Sequence, residues 1–323
     1  MTSTLPALDV YTEVLQAKQQ LSPYIRETPL DYSPLLSELG HCQVFLKLEN
    51  LQHTGSFKVR GAINTLLSLT AEQKRGGVVA ASSGNHGAAV AYGLKRLDIP
   101  GVIFVPEDAS SAKVSAIQKL GATVQFHGTD CGVTEAYARQ YASERGLVYA
   151  SPYNDLKTIA GQGTIAVEIA QQLKPIDTVF ASVGGGGLIS GIAGYLKPLF
   201  KDIEIIGCSP VNSPVMAESI KAGQLVQMES LPTLSDGTAG GIEPGAITFD
   251  LCRTLVDDFV LVTETEIQAA IRLLIENHHL LIEGAAGTAI AAFLQRKEQL
   301  RDKTVVIVIC GANISLEVLK RIL

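Results

Sequence analysis

Three stretches of this 323-residue chain combine residue types that can do chemistry with spacings that bring them together. The first is Gly184-Gly185-Gly186-Gly187, set between a β-branched run, Thr178–Val183, and a helical pattern, Leu188–Leu196. Four consecutive glycines can turn through positive φ and present successive N–H groups at a helix N-terminus, where the dipole also favours an anion. Such a loop either holds a phosphate without any lysine or is a flexible turn. It is not a G-x-G-x-x-G dinucleotide fingerprint, and no G-x-x-x-x-G-K-[ST] occurs. The second stretch, Ser82-Ser83-Gly84-Asn85-His86-Gly87, follows Val78–Ala81 and precedes the helical Ala88–Leu97. Its amides and the side chains of Ser82, Ser83 and Asn85 can receive a second anion such as a carboxylate, or Ser83 and Asn85 simply cap a helix. His86 reads as a structural imidazole before a catalyst. The third, Thr54-Gly55-Ser56-Phe57-Lys58-Val59-Arg60-Gly61-Ala62, wedges a lysine between an aromatic and a small-residue turn. A lone lysine is ordinarily solvated, so composition alone gives Lys58 no role.

The elements that must position these loops repeat one rhythm: a short β-branched run, a small-residue turn, then a helix. Val78–Ala81, Gly101–Val105, Thr123–Phe126, Thr178–Val183, Glu204–Cys208 and Thr304–Ile309 read as strands, with Val44–Leu48 feeding the lysine loop. Asp9–Leu21, Ser111–Leu120 and Leu188–Leu196 read as helices. This alternation predicts an α/β protein with parallel strands and crossover helices. The polar Thr70–Gly77 and the turn-rich Ser151–Asp155 read as linkers around a small lobe, residues 71–154, beside a larger domain built from 1–70 and 155–323.

Composition excludes several classes. With 46% hydrophobic and 18% charged residues the chain can bury a large core, which a disordered tail cannot. A net charge of −6 offers no basic footprint for nucleic acid or an anionic membrane. No continuous apolar stretch reaches the roughly 18 residues of a membrane span. The five cysteines, 42, 131, 208, 252 and 310, form no C-x-x-C, so neither a disulfide framework nor a thiolate zinc site is expected, and a reducing cytoplasm is.

Taken in order, Lys47-Leu48-Glu49-Asn50-Leu51-Gln52, Gly55-Ser56-Phe57-Lys58-Val59-Arg60-Gly61-Ala62, Ser82-Ser83-Gly84-Asn85-His86, Gly161-Gln162-Gly163-Thr164, Gly184–Gly187 and Gly311-Ala312-Asn313 resemble the serine/threonine dehydratase and serine racemase group. These are pyridoxal-phosphate enzymes of fold type II, the tryptophan-synthase-β fold, with two open, mostly parallel sheet domains flanked by helices. The resemblance implies that Lys58 is the Schiff-base lysine, that Phe57 packs beside the pyridine ring and that Asn85 contacts the ring hydroxyl. It assigns the phosphate to Gly184, Gly185, Gly186 and Gly187, and the substrate carboxylate to Ser82, Ser83, Gly84, Asn85 and His86. It puts Cys310 opposite the pyridine nitrogen, or else a small buried residue closing a strand, and Gly241 near the ring or else on a surface loop. Lys58 would also take the Cα proton, while a neutral thiol at the ring nitrogen favours prompt loss of a β-hydroxyl over transamination. The implied reaction is conversion of L-threonine or L-serine to a 2-oxo acid and ammonia.

Two features set the group's members apart. The racemases hold a divalent cation with a glutamate and an aspartate where this chain has Ser209 and Val215, so no metal is expected there. Ser83, however, matches the racemases' acid/base serine on the face opposite the lysine. Serine racemase and dehydratases for 3-hydroxyaspartate or phenylserine are therefore the alternatives, with a non-catalytic phosphate-binding α/β protein as the rival of another class. Glu283 reads as a helix N-terminal charge; Arg60, His53, His278 and His279 receive no role. The end at residue 323 leaves no room for a C-terminal regulatory domain, and a homodimer is expected.

Overall fold

The computed structural model describes residues 9–323, so the first eight residues of the expected larger domain lie outside it. Its strands in chain order are β1 Leu30–Tyr32, β2 Gln43–Lys47, β3 Val78–Ala81, β4 Gly101–Val105, β5 Thr123–Phe126, β6 Val148–Tyr149, β7 Thr178–Ser182, β8 Glu204–Pro210, β9 Asp258–Val262 and β10 Thr304–Val308. They form a six-stranded sheet, β1-β2-β10-β7-β8-β9, and a four-stranded sheet, β5-β4-β3-β6. Every pairing is parallel except β1 with β2. All four strands of the smaller sheet fall between residues 78 and 149.

Central β7 and β10 are buried at every residue. That is the signature of a parallel sheet covered on both faces, and continuous runs such as Thr-Val-Val-Ile-Val supply the apolar surface. Helices 10–21, 156–172 and 187–199 pack together, and helix 284–296 lies against β7 to β10. In open parallel sheets ligands bind beyond the carboxyl ends of the strands. The glycine run after β7, Cys310 after β10 and Ser82–Gly87 after β3 all leave from those ends. Because Ile307 pairs with Phe180, the chains carrying Cys310 and Gly184 emerge side by side.

Two expectations need correcting. Thr70–Gly77 is not a loose linker: Ala71–Gly76 is helical, and Thr70 with Gln73 forms a reciprocal capping box at its start. Thr-x-x-Gln satisfies two orphan N–H groups at once, which outweighs the polarity of the stretch. The strands β1, β6 and β9 were not anticipated; all three lie at sheet edges.

Candidate active site

Lys58 is the first residue of helix Lys58–Ser68. The loop before it is tied to the end of β10: Ser56 bridges Gly311, and the Phe57 N–H donates to the Cys310 carbonyl at 3.0 Å. Lys58 Nζ donates to the Pro152 carbonyl at 2.9 Å and stands 5.3 Å from the centre of the buried Phe57 ring. Burial pulls the amine down to about 8, against the opposing pull of Cys310, Glu283 and Glu135. An amine so placed is available as a nucleophile and as a base near neutral pH.

The next residue, Tyr153, connects the lysine to the glycine run. A Cβ on Gly185 would stand 2.3 Å from the Tyr153 ring, and one on Gly184 would stand 2.9 Å from Thr238. Gly186 has φ +84° and caps helix Gly187–Leu199. Side chains are thus excluded from the turn, and among the described residues the N–H groups of Gly184 to Gly187 donate to no backbone or side-chain acceptor. Unpaired amides at a helix N-terminus suit a phosphate. Sequence reasoning missed Tyr153; an aromatic in an otherwise small and polar turn, Ser151–Asp155, was its only signal.

The Ser82–Gly87 loop is more divided than expected. Ser82 Oγ accepts the Gly84 N–H at 3.1 Å, so that amide is already occupied. The His86 ring, expected among the carboxylate-binding groups, hydrogen-bonds the Ala150 carbonyl at 2.8 Å. Burial lowers its pKa to about 3, so it is a neutral donor holding this helix against the end of β6. What remains for an anion is the Ser83 hydroxyl and the amides of Asn85, His86 and Gly87 at the start of helix Asn85–Leu97, none of which has a protein acceptor among the described residues. Gly87 is required by the close turn: a Cβ there would lie 2.0 Å from the Ser82 carbonyl. Gly241 is exposed with nothing near it, and Thr238, not Gly241, is what reaches the glycine run.

Glu283 was read as a helix N-terminal charge. It does occupy the N-cap of helix Gly284–Arg296, but its side chain caps nothing there. Its carboxylate instead accepts from Asn85 Nδ2, 2.9 Å to each oxygen, and from the Asn313 N–H at 3.1 Å, with Cys310 Sγ 3.8 Å away. Burial lifts its pKa to about 7. The Cys310 thiol, buried and facing this carboxylate, is held well above its usual value and stays protonated.

Behind the lysine lies a second unanticipated group. Arg60, fully buried, donates Nε and Nη2 to Glu49 and Nη1 and Nη2 to Glu168, four bonds of 2.7 to 2.9 Å. Lys47 Nζ, also fully buried, reaches Glu168 at 2.8 Å. Two cations and two carboxylates thereby fix the helix that begins at Lys58 to β2 and to helix 156–172. At the place the racemases use for a cation, the buried Ser209 Oγ donates to the Val183 carbonyl at 3.1 Å and Val215 is buried. Among the described residues no three His, Cys, Asp or Glu side chains cluster as metal ligands do.

A desolvated amine anchors a carbonyl compound as an imine, and the neighbouring amide cradle narrows that compound to a phosphate ester. The class so defined is an enzyme working through a phosphorylated aldehyde. The chain belongs to the pyridoxal-phosphate-dependent enzyme family, whose model matches residues 21–311. An L-threonine ammonia-lyase of Thermotoga maritima is 39% identical over 311 residues, covering 96% of this chain and 77% of that protein. The catabolic L-threonine dehydratase TdcB of Escherichia coli is 40% identical over 306 residues, covering 94% of this chain and 93% of that one. Among solved structures, maize serine racemase matches with a TM-score of 0.91 at 32% identity, over 96% of this chain and 95% of that one. The processed threonine deaminase isoform 2 of Solanum lycopersicum matches at 0.93 and 32%, over 98% and 93%. The residues present fit pyridoxal phosphate: unpaired amides suit the phosphate, a desolvated amine suits the aldehyde, and Cys310 offers a neutral thiol.

Proposed function

We propose that the chain is an ammonia-lyase for a 3-hydroxy amino acid, L-threonine or L-serine, releasing a 2-oxo acid and ammonia. The observation that carries the reading is Lys58: one half-buried amine, lowered toward neutrality, beside the glycine run and, among the described residues, with no carboxylate at hydrogen-bonding distance. When bound, the cofactor supplies an electron sink for the negative charge that develops at the substrate Cα. The amides of Gly184 to Gly187 hold its phosphate. The amides of Asn85 to Gly87 and the Ser83 hydroxyl hold the substrate carboxylate, which orients the Cα–H bond toward Lys58. Lys58 takes that proton, and the 3-hydroxyl departs as water once protonated, with Lys58 the donor at hand. Cys310 stays a neutral thiol and brings no negative charge to the ring nitrogen, which favours expulsion of the hydroxyl over storage of charge. Water then hydrolyses the released unsaturated amine, so the hydroxyl and amino nitrogen leave as one water, regained, and one ammonia.

Racemisation is the second reading, favoured by Ser83, whose hydroxyl has no partner among the described residues and can serve the opposite face of Cα. The deciding assay incubates the holoenzyme with L-serine, L-threonine, 3-hydroxyaspartate and phenylserine and follows 2-oxo acid and the chirality of residual amino acid. Dominant 2-oxobutyrate from threonine supports the proposal; dominant D-serine without pyruvate sinks it. We further infer a homodimer, a small lobe at residues 71–154 and a cytoplasmic setting. Support for the last is that no helix among the described residues is long and apolar enough to cross a membrane and that all five cysteines are free.

A further inference from the structure

We propose that Glu283 is a positioning residue of this reaction: its carboxylate locks Asn85 in the substrate loop and draws the Cys310 proton toward itself, away from the ring-nitrogen end of the cofactor. The inference rests on the pyridoxal-phosphate reading of Lys58 and deepens it. Three donors from two segments converge on the one carboxylate: Asn85 from the smaller sheet's helix, and Cys310 with the Asn313 N–H from the chain after β10. Asn313 extends the restraint, its Nδ2 donating to Asn85 Oδ1 at 2.6 Å and to the Thr54 carbonyl at 2.8 Å, four residues before Lys58. Every partner offers Glu283 a hydrogen. A carboxylate can accept all of them, whereas an amide must turn an NH₂ group against at least one donor.

The charged and titratable groups facing Glu283 are few. Asp236 faces it from the 236–238 turn and is itself paired with Lys113 at 3.0 Å. Lys58 feels it from the lysine helix, and Cys310 touches it. Helix 85–97 presents only the neutral Asn85. Burial, opposed by Asn85 and reinforced by Asp236, brings the group to about 7, so it changes charge within an ordinary working range. Once protonated it is itself a donor, and one of Asn85, Asn313 and Cys310 loses its acceptor.

The test uses the cofactor-loaded enzyme and three forms: wild type, Glu283→Gln and Cys310→Ala. The readouts are the visible absorbance of the bound cofactor against pH, and kcat and KM separately. The wild type should show an absorbance transition with a midpoint near pH 7. Both variants should lose it, and Glu283→Gln should lower kcat about tenfold, the equivalent of ~1.4 kcal/mol and of one hydrogen bond to a charged group. A transition that persists unshifted in either variant, or that the wild type lacks, overturns the inference. If Glu283→Gln does not fold, the wild type and Cys310→Ala still decide. Borohydride reduction keeps the two levels apart: no cofactor mass fixed on wild-type Lys58 overturns the underlying reading, whereas mass fixed there with an unchanged Glu283→Gln titration overturns this inference alone.

Discussion

Replacing Arg60 by methionine removes the guanidinium from a buried group and leaves Glu49 and Glu168 facing Lys47, with the partly exposed Lys18 3.5 Å from Glu168. Among the described residues Glu49 then keeps the Thr28 hydroxyl, at 2.5 Å, as its close side-chain partner. Breaking a buried ion pair by deleting one member costs roughly 3–5 kcal/mol, because the orphaned charge remains dry. A second route gives the same order. Arg60 and Lys47 outweigh burial at Glu168 and hold its pKa at about 2 against an ordinary 4.5, and a shift of that size is worth about 3 kcal/mol. The sign with pH follows. A depressed carboxylate stabilises the fold above its unfolded pKa, and that stability disappears as pH falls through its folded value. The gap between wild type and Arg60→Met should therefore be full at pH 7 and narrower at pH 3, between the folded and unfolded values of Glu168. The chain has no tryptophan, so urea unfolding of the cofactor-free protein is followed by far-ultraviolet circular dichroism. Arg253→Ala, which breaks an exposed pair with Asp250, is the control and should cost under about 0.5 kcal/mol. A loss below ~1 kcal/mol at pH 7 for Arg60→Met, or a gap that is the same at both pH values, refutes the argument.

Gly185→Ala would press a methyl group into the Tyr153 ring, 2.3 Å away, and cofactor affinity should fall by about tenfold or more, one lost hydrogen bond to a charged phosphate being worth that much; a fluorescence titration with pyridoxal phosphate reads it, and an unchanged Kd contradicts the cradle. In the cofactor-free protein the Lys58 amine should react with reductive-methylation reagent at a rate rising with pH around a midpoint near 8, as its lowered pKa requires, and a midpoint at the ordinary 10.5 would show a solvated lysine. Ser83→Ala should raise the ratio of 2-oxo acid formed to amino acid racemised, because elimination needs a base on one face of Cα and racemisation needs both; a lower ratio shows that Ser83 serves elimination first.

The parts of the site that were legible in the sequence are those whose chemistry is local. Glycine runs between a β-branched segment and a helix announce their own geometry, and Ser82–Gly87, Gly184–Gly187 and Lys58 all emerge at the carboxyl ends of parallel strands as the rhythm requires. What stayed hidden depends on partners far along the chain. Arg60 and Glu168 are 108 residues apart, and nothing about either alone says where its counter-ion lies. Burial itself did leave a mark: in Thr164-Ile165-Ala166-Val167-Glu168-Ile169-Ala170 a single carboxylate interrupts an apolar helix that has no polar face to put it on. A charge so placed must be paired inside the protein, since burying it alone is prohibitive. Lys47, closing the apolar Val44-Phe45-Leu46, carries the same signal.

Glu283 shows why such a signal has to be weighed by environment. The N-cap reading and the active-site reading use the same residue at the same backbone position, and they differ only in where the carboxylate turns. On an exposed helix end, interaction with the dipole is worth roughly 0.3–1 kcal/mol. Turned inward, the carboxylate meets the Asn85 amide, the Asn313 N–H and the Cys310 thiol; hydrogen bonds to a charged group are worth about 1.5–3 kcal/mol each. The inward set wins even against the burial that raises the group to about 7. The helix dipole is not lost by this choice. Glu283 remains at the N-cap, so the positive end of helix 284–296 lies behind a carboxylate that two other segments share.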